Sequence, residues 1–78
     1  MANNESTPVE TITVRAEPIE LFKVLKLDNV VSGGGEAKML IADGQVRLNG
    51  AVETRKRKKI YNGDVVSYLD RTVCVVVS

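Results

Sequence analysis

Between Glu36 and Asn49 the spacing of apolar positions changes from helical to extended within a few residues. Ala37, Leu40 and Ile41 recur at i, i+3 and i+4, which is one apolar face of a short helix. Gly44 follows at once, where a helix is readily closed by a glycine in the left-handed conformation. The period then becomes two: Val46 and Leu48 point one way, Arg47 and Asn49 the other. Asn49-Gly50 predicts a tight hairpin turn. A helix, a stop, a strand and a turn are therefore written into consecutive residues.

The flanking segments extend this order. Residues 10–15 alternate, with Ile12 and Val14 on one side and Thr11, Thr13 and Arg15 on the other, the pattern of a half-buried strand. Pro18 suits the first turn of a helix over residues 19–27. Ile19, Leu21, Phe22 and Leu25 give that helix a broad apolar face, and Glu20, Lys23 and Lys26 a solvated stripe. Asp28-Asn29 ends it. Ser32 is placed to cap the second helix, and the three glycines at 33–35 either connect flexibly or let something approach the backbone closely. After the hairpin turn, Ala51-Val52 returns as a short strand, and Asn62-Gly63-Asp64 makes a second turn. Residues 65–69 and 72–77 read as strands joined at Asp70-Arg71. The continuous run Val75-Val76-Val77 predicts a strand that is paired centrally or covered on both faces. The expected fold is α+β, with two short helices packed on one face of a small, mostly antiparallel sheet. Residues 1–8 are polar and expected to fray, leaving 9–78 as a single domain.

Composition narrows the chemistry. The chain has no histidine, so the commonest general base is absent. Its single cysteine, Cys74, has no partners at metal-ligand spacing and reads as a buried, inert thiol. The glycines at 33–35 lack the lysine-serine or dinucleotide pattern of a nucleotide-binding loop. No enzymatic activity, cofactor, metal or small-molecule substrate is expected. The opening residues carry no secretory hydrophobic run, and no apolar stretch approaches membrane-spanning length, so a cytoplasmic protein is expected.

Net charge is only +1, but its distribution is uneven. Residues 1–36 hold six acids and three bases, whereas residues 37–78 hold eight bases and four acids. Five cations stand in a row: Arg55, Lys56, Arg57, Lys58 and Lys59. Most short charge runs are solvated loops. This one lies between two hairpin turns rather than on a tail, and Lys38 and Arg47 stand off the apolar faces upstream, able to extend it into one patch. Several cations on a rigid surface meet the requirement for neutralising phosphates. Exposed aromatic rings are scarce, since Phe22 reads as core and leaves Tyr61 and Tyr68, and no helix presents a row of base-reading Arg, Asn and Gln. Structured RNA, ribosomal or transfer RNA included, is favoured, with the basic run alone not separating it from DNA. Two other readings stay open. One is a protein-interaction domain in which the strand 72–77 adds to a partner's sheet. The other is contact with an anionic membrane, for which the run lacks an amphipathic anchor.

The stretch Ala37-Lys38-x-Leu40-Ile41-x-x-Gly44-x-Val46-x-Leu48-Asn49-Gly50, followed by Gly63-Asp64-Val65-Val66, resembles the RNA-binding domain first described in the bacterial ribosomal small-subunit protein S-four. Its helix-helix-strand arrangement is known as the αL motif. Residues 53–60 resemble the small stand-alone bacterial members, in which the domain is nearly the whole protein. The resemblance implies a non-enzymatic RNA-binding protein in a ribosomal setting, and a monomer is expected. It makes Lys38, Arg47, Arg55, Lys56, Arg57, Lys58 and Lys59 candidate phosphate contacts. It makes Gly44, Asn49, Gly50, Gly63 and Asp64 turn-formers, and Ile41 and Val46 core. One departure stands out: where the family usually has serine and, in larger members, arginine, this chain has Gly33 and Gly34, with Ser32 one place early, although stand-alone members often carry glycine in place of the arginine.

Overall fold

A computed structural model describes residues 9–78; the terminus expected to fray, residues 1–8, lies outside the described residues. Strand β1, Val9–Val14, turns Ile12 and Val14 inward as its alternation requires. The chain then departs from expectation. Pro18 does not open a helix, because Ile19–Glu20 is extended and forms a short strand, β2. Helix α1 begins only at Leu21 and runs to Leu27. Asn29, at φ 65°, turns the chain out of it. Helix α2, Gly34–Ala42, buries Ala37 and Ile41 and ends at Gly44, whose φ of +77° is the left-handed closure read from the sequence.

Ser32 does not cap α2 through its hydroxyl oxygen. Its N–H and its hydroxyl both donate to the Glu36 carboxylate, at 2.7 and 3.0 Å. These bonds hold the Glu36 carboxyl below its ordinary range, the backbone N–H contributing most. The acid at the first turn of the helix thus reaches back past the N-cap, Gly33, to Ser32, one residue further than in a capping box.

The hairpin of β3, Val46–Leu48, and β4, Ala51–Val52, closes on Asn49 and Gly50, both in the left-handed region as an Asn-Gly turn demands. Strand β5, Lys59–Ile60, pairs antiparallel with β2. Strands β6, Val65–Tyr68, and β7, Arg71–Val77, form the last hairpin. Its turn is Leu69-Asp70, both at positive φ, one residue earlier than expected. Arg71 is held in the strand because its side chain is committed elsewhere. Its guanidinium donates to both oxygens of Asp28, at 2.6 and 2.8 Å, and the Tyr68 hydroxyl donates to the same carboxylate at 2.5 Å.

The main sheet has the order β1-β7-β6-β3-β4. Strand β7 is an interior strand, paired on both edges as its apolar run predicts, with β6 antiparallel on one side and β1 parallel on the other. The parallel pair is possible because the two strands are separated by nearly the whole domain, ample for a crossover. This placement removes residues 72–77 as a strand free to join a partner's sheet; β1 and β4 are the edges. Both helices lie over the face carrying Val46, Val66, Tyr68, Val73 and Val75, which with Leu21, Leu25 and Ile41 form the core. The opposite face carries Thr11, Thr13, Ser67 and Thr72, and faces solvent as antiparallel sheets commonly do. Cys74 sits on that face, half-buried rather than buried.

Candidate nucleic-acid interface

The basic run is fastened to the fold by its backbone. Helix α1 has no side-chain N-cap. Its first donors go instead to the run: the N–H of Leu21 donates to the Lys58 carbonyl at 2.9 Å, and that of Phe22 to the Lys56 carbonyl at 3.0 Å. The Lys58 N–H in turn donates to the Arg55 carbonyl at 3.1 Å, closing a tight turn. Two of the orphan donors every helix start carries are thereby satisfied. The side chains of the run are left to project outward.

Those side chains divide into two groups. Arg55 is paired with Glu53, its Nε 2.9 Å from Oε2, and the Arg55 backbone N–H donates to the same oxygen. The hydrogen bond from Arg55 holds the Glu53 carboxyl below its ordinary range and raises the guanidinium correspondingly. Arg57 Nε lies 3.9 Å from Glu20 Oε2, a loose pair shared with Lys23 at 3.6 Å. Lys56, Lys58 and Lys59 have no ion-pair partner among the described residues.

Residues 54–59, with Tyr61 and Ala42, line an open groove of about 810 Å³. Ala42 is the last residue of α2. Lys38 is one turn earlier, and Gly34 one turn before that, so all three lie along one stripe of the helix. Lys38 is joined to the run through Phe22. Its ammonium sits 4.7 Å from the centre of the Phe22 ring, and Lys23 approaches the same ring at 5.9 Å. Phe22 is therefore half-buried and carries cations, where the sequence pattern makes it plain core.

Arg47 is not brought to this groove. It projects from β3 on the side opposite buried Val46, and its Nη1 donates to the Gly50 carbonyl at 3.3 Å. It lines a separate, smaller depression with Ser67, Thr72 and Arg71. The single patch expected from Lys38 and Arg47 together is split by the sheet. Glu20 and Lys23, which the pattern reads as a solvated stripe, and Glu53 join the site only in the folded chain.

Residues 12–76 match the S4 domain family. The chain belongs to it. Among S4 domain relatives, YbcJ of Escherichia coli (strain K12) is 50% identical over 58 residues, 74% of this chain and 83% of that protein. A Bacillus subtilis (strain 168) protein named "Probable ribosome maturation protein RlbA" is 38% identical over 55 residues, 70% of this chain and 78% of the relative. The solution structure of E. coli YbcJ, described as revealing an αL motif involved in RNA binding, superposes with a TM-score of 0.70 at 42% identity, covering 99% of this chain and 98% of that one. The two helices on a mostly antiparallel sheet are thus the αL arrangement of the S4 domain. Neither Gly33 nor Gly34 fills a space that excludes a side chain. A Cβ on Gly33 meets nothing within 4 Å, and one on Gly34 meets only Lys26 Cδ at 3.5 Å, an ordinary contact.

Proposed function

We propose that this chain is a non-enzymatic RNA-binding protein that grips the backbone of structured RNA, ribosomal or transfer RNA, in the groove between the basic run and α2. The observation that carries this reading is the fastening of Lys56 and Lys58 by their own carbonyls to the start of α1. A solvated loop of like charges gains little from being held. Here the repulsion between neighbouring cations is built into a fixed surface, and among the described residues three lysines are left without an ion-pair partner. Fixed, unpaired cations are what counterion release by phosphates rewards.

Lys38, Lys56, Lys58 and Lys59 are the proposed principal contacts. Arg55 and Arg57 are held by Glu53 and Glu20 in defined orientations and reach phosphates at the margin of the groove. The domain acts as a monomer and needs no cofactor for this. The names of the relatives, one an RNA-binding αL protein and one a ribosome maturation protein, support a ribosomal setting.

Titration against an RNA stem-loop, a single-stranded RNA and a DNA duplex of equal length, across a salt series, tests the reading. Tightest binding to the stem-loop, with a slope of log affinity against log salt of roughly −3 to −5, supports it. A flat salt dependence, or equal affinity for all three, defeats it.

A further inference from the structure

The chain contains one phenylalanine, two tyrosines and no tryptophan. Only one of these rings is free. Phe22 is half-buried, with the Lys38 ammonium over its face. Tyr68 is 3% exposed, its hydroxyl committed to Asp28. Tyr61 is 46% exposed and stands on the wall of the basic groove beside residues 54–59.

The backbone beneath Tyr61 is held by a set of hydrogen bonds. Its N–H donates to Asp64 Oδ2 at 2.8 Å, and its carbonyl accepts from the Asp64 N–H at 3.0 Å. The Asn62 N–H donates to Glu17 Oε1 at 2.7 Å, and Asn62 Oδ1 accepts from the Val77 N–H at 2.8 Å. Gly63 donates to the Val75 carbonyl at 2.8 Å, and the Val75 N–H returns to the Asp64 carbonyl at 2.9 Å. Ile60, one residue before, is fully buried. The ring thus emerges from an anchored turn between β5 and β6, next to the cations of the basic run.

We infer that Tyr61 is a stacking platform for one unpaired nucleobase, so that the groove selects RNA in which a bulged or looped-out base adjoins a run of phosphates. This deepens the RNA-binding reading and rests on it. A base inside a duplex is stacked on both faces and offers no free surface. An unpaired base does, and aromatic stacking of such bases is how proteins discriminate them without reading sequence. A fixed ring loses little freedom on stacking, and the adjacent lysines neutralise the flanking phosphates that bring the base to it. Recognition would be tolerant of base identity, because every base has a π-face.

The test compares two RNA duplexes of equal paired length, one carrying a single bulged adenosine, for binding to the wild type, Tyr61→Ala and Tyr61→Phe. The wild type should prefer the bulged duplex by roughly five- to a hundred-fold, the range that stacking on one aromatic ring supplies. Tyr61→Ala should bind both duplexes as the wild type binds the perfect one, and Tyr61→Phe should keep the preference. Tyrosine emission of the wild type should be quenched by the bulged duplex alone. Equal affinity of the wild type for both duplexes overturns the inference, as does a preference that survives in Tyr61→Ala. A Lys56→Glu/Lys58→Glu variant separates this from the parent reading: unchanged affinity for the perfect duplex would sink the basic groove itself, whatever Tyr61 does.

Discussion

The carbonyl of Lys56 accepts the N–H of Phe22, so the most basic segment of the chain caps its first helix with backbone rather than side chain. Side chains in the run can therefore be changed without touching what holds it. The double variant Lys56→Ala/Lys58→Ala should keep its circular dichroism spectrum and lose no more than about 0.5 kcal/mol of stability, the range for surface substitutions away from special features. Its RNA salt slope should become shallower by about 1.8, two phosphate contacts on a duplex at about 0.9 each. Unfolding of this variant would show that the side chains, not the carbonyls, hold the run.

Gly34, Lys38 and Ala42 share one stripe of α2, and the space at Gly34 is open. Gly34→Arg should therefore fit. Gly34 is the first residue of α2, so the gain from replacing glycine is opposed by a cation at the helix N-terminus, and stability should change by no more than about 0.5 kcal/mol. The new guanidinium, one turn before Lys38, should tighten RNA binding and steepen the salt slope by about 0.9. A folded variant with unchanged affinity would place the RNA away from the start of α2.

Arg47 lies on the other face of β3, with its guanidinium turned to the Gly50 carbonyl. Arg47→Ala should leave the RNA salt slope unchanged, in contrast to the loss of about 0.9 expected for any single groove lysine. A loss of that size at Arg47 would extend the interface round the sheet edge.

Asp28 joins the end of α1 to the last hairpin. Its side chain is 5% exposed and accepts from Arg71 and Tyr68. The Arg71 hydrogen bonds hold its carboxyl below the ordinary range, against the opposing effect of burial; burial first, then the bond to Asp28, pushes the Tyr68 phenol up. A carboxylate depressed in the folded state stabilises fully above its unfolded pKa, 3.8, and loses that contribution as pH falls through the lower folded value. Denaturation midpoints should accordingly fall below about pH 4, and Asp28→Asn should flatten that limb. Asp28→Ala should cost about 1–3 kcal/mol at neutral pH, because it strands the buried Tyr68 hydroxyl. A neutral result would mean that water replaces the carboxylate.

The order helix, stop, strand, turn across residues 36–50 was legible because each signal there is local. A helical apolar spacing, a glycine past its end, a period of two and an Asn-Gly pair act within a few residues of themselves, and the structure places all four as written. The pairing of β7 on both edges was also visible, since a continuous apolar run suits an interior strand.

The sequence misled where a distant partner outbid local preference. Residues 19 and 20 have a helical apolar pattern behind a proline, yet they are extended because Lys59–Ile60 pairs with them and the Lys58 carbonyl takes the next N–H. The last turn falls on Leu69-Asp70 because Arg71 is needed in β7 to reach Asp28, far back in the chain. The site shows the same division. Sequence alone supplied the cations, because charge is a property of composition. It did not show which of them share a surface: Lys38 joins the run through Phe22, Arg47 is carried to the far face by the two-residue period of its strand, and Tyr61 comes to rest in the groove. Those relations depend on hydrogen bonds and packing between segments tens of residues apart, and only the folded chain brings those segments together.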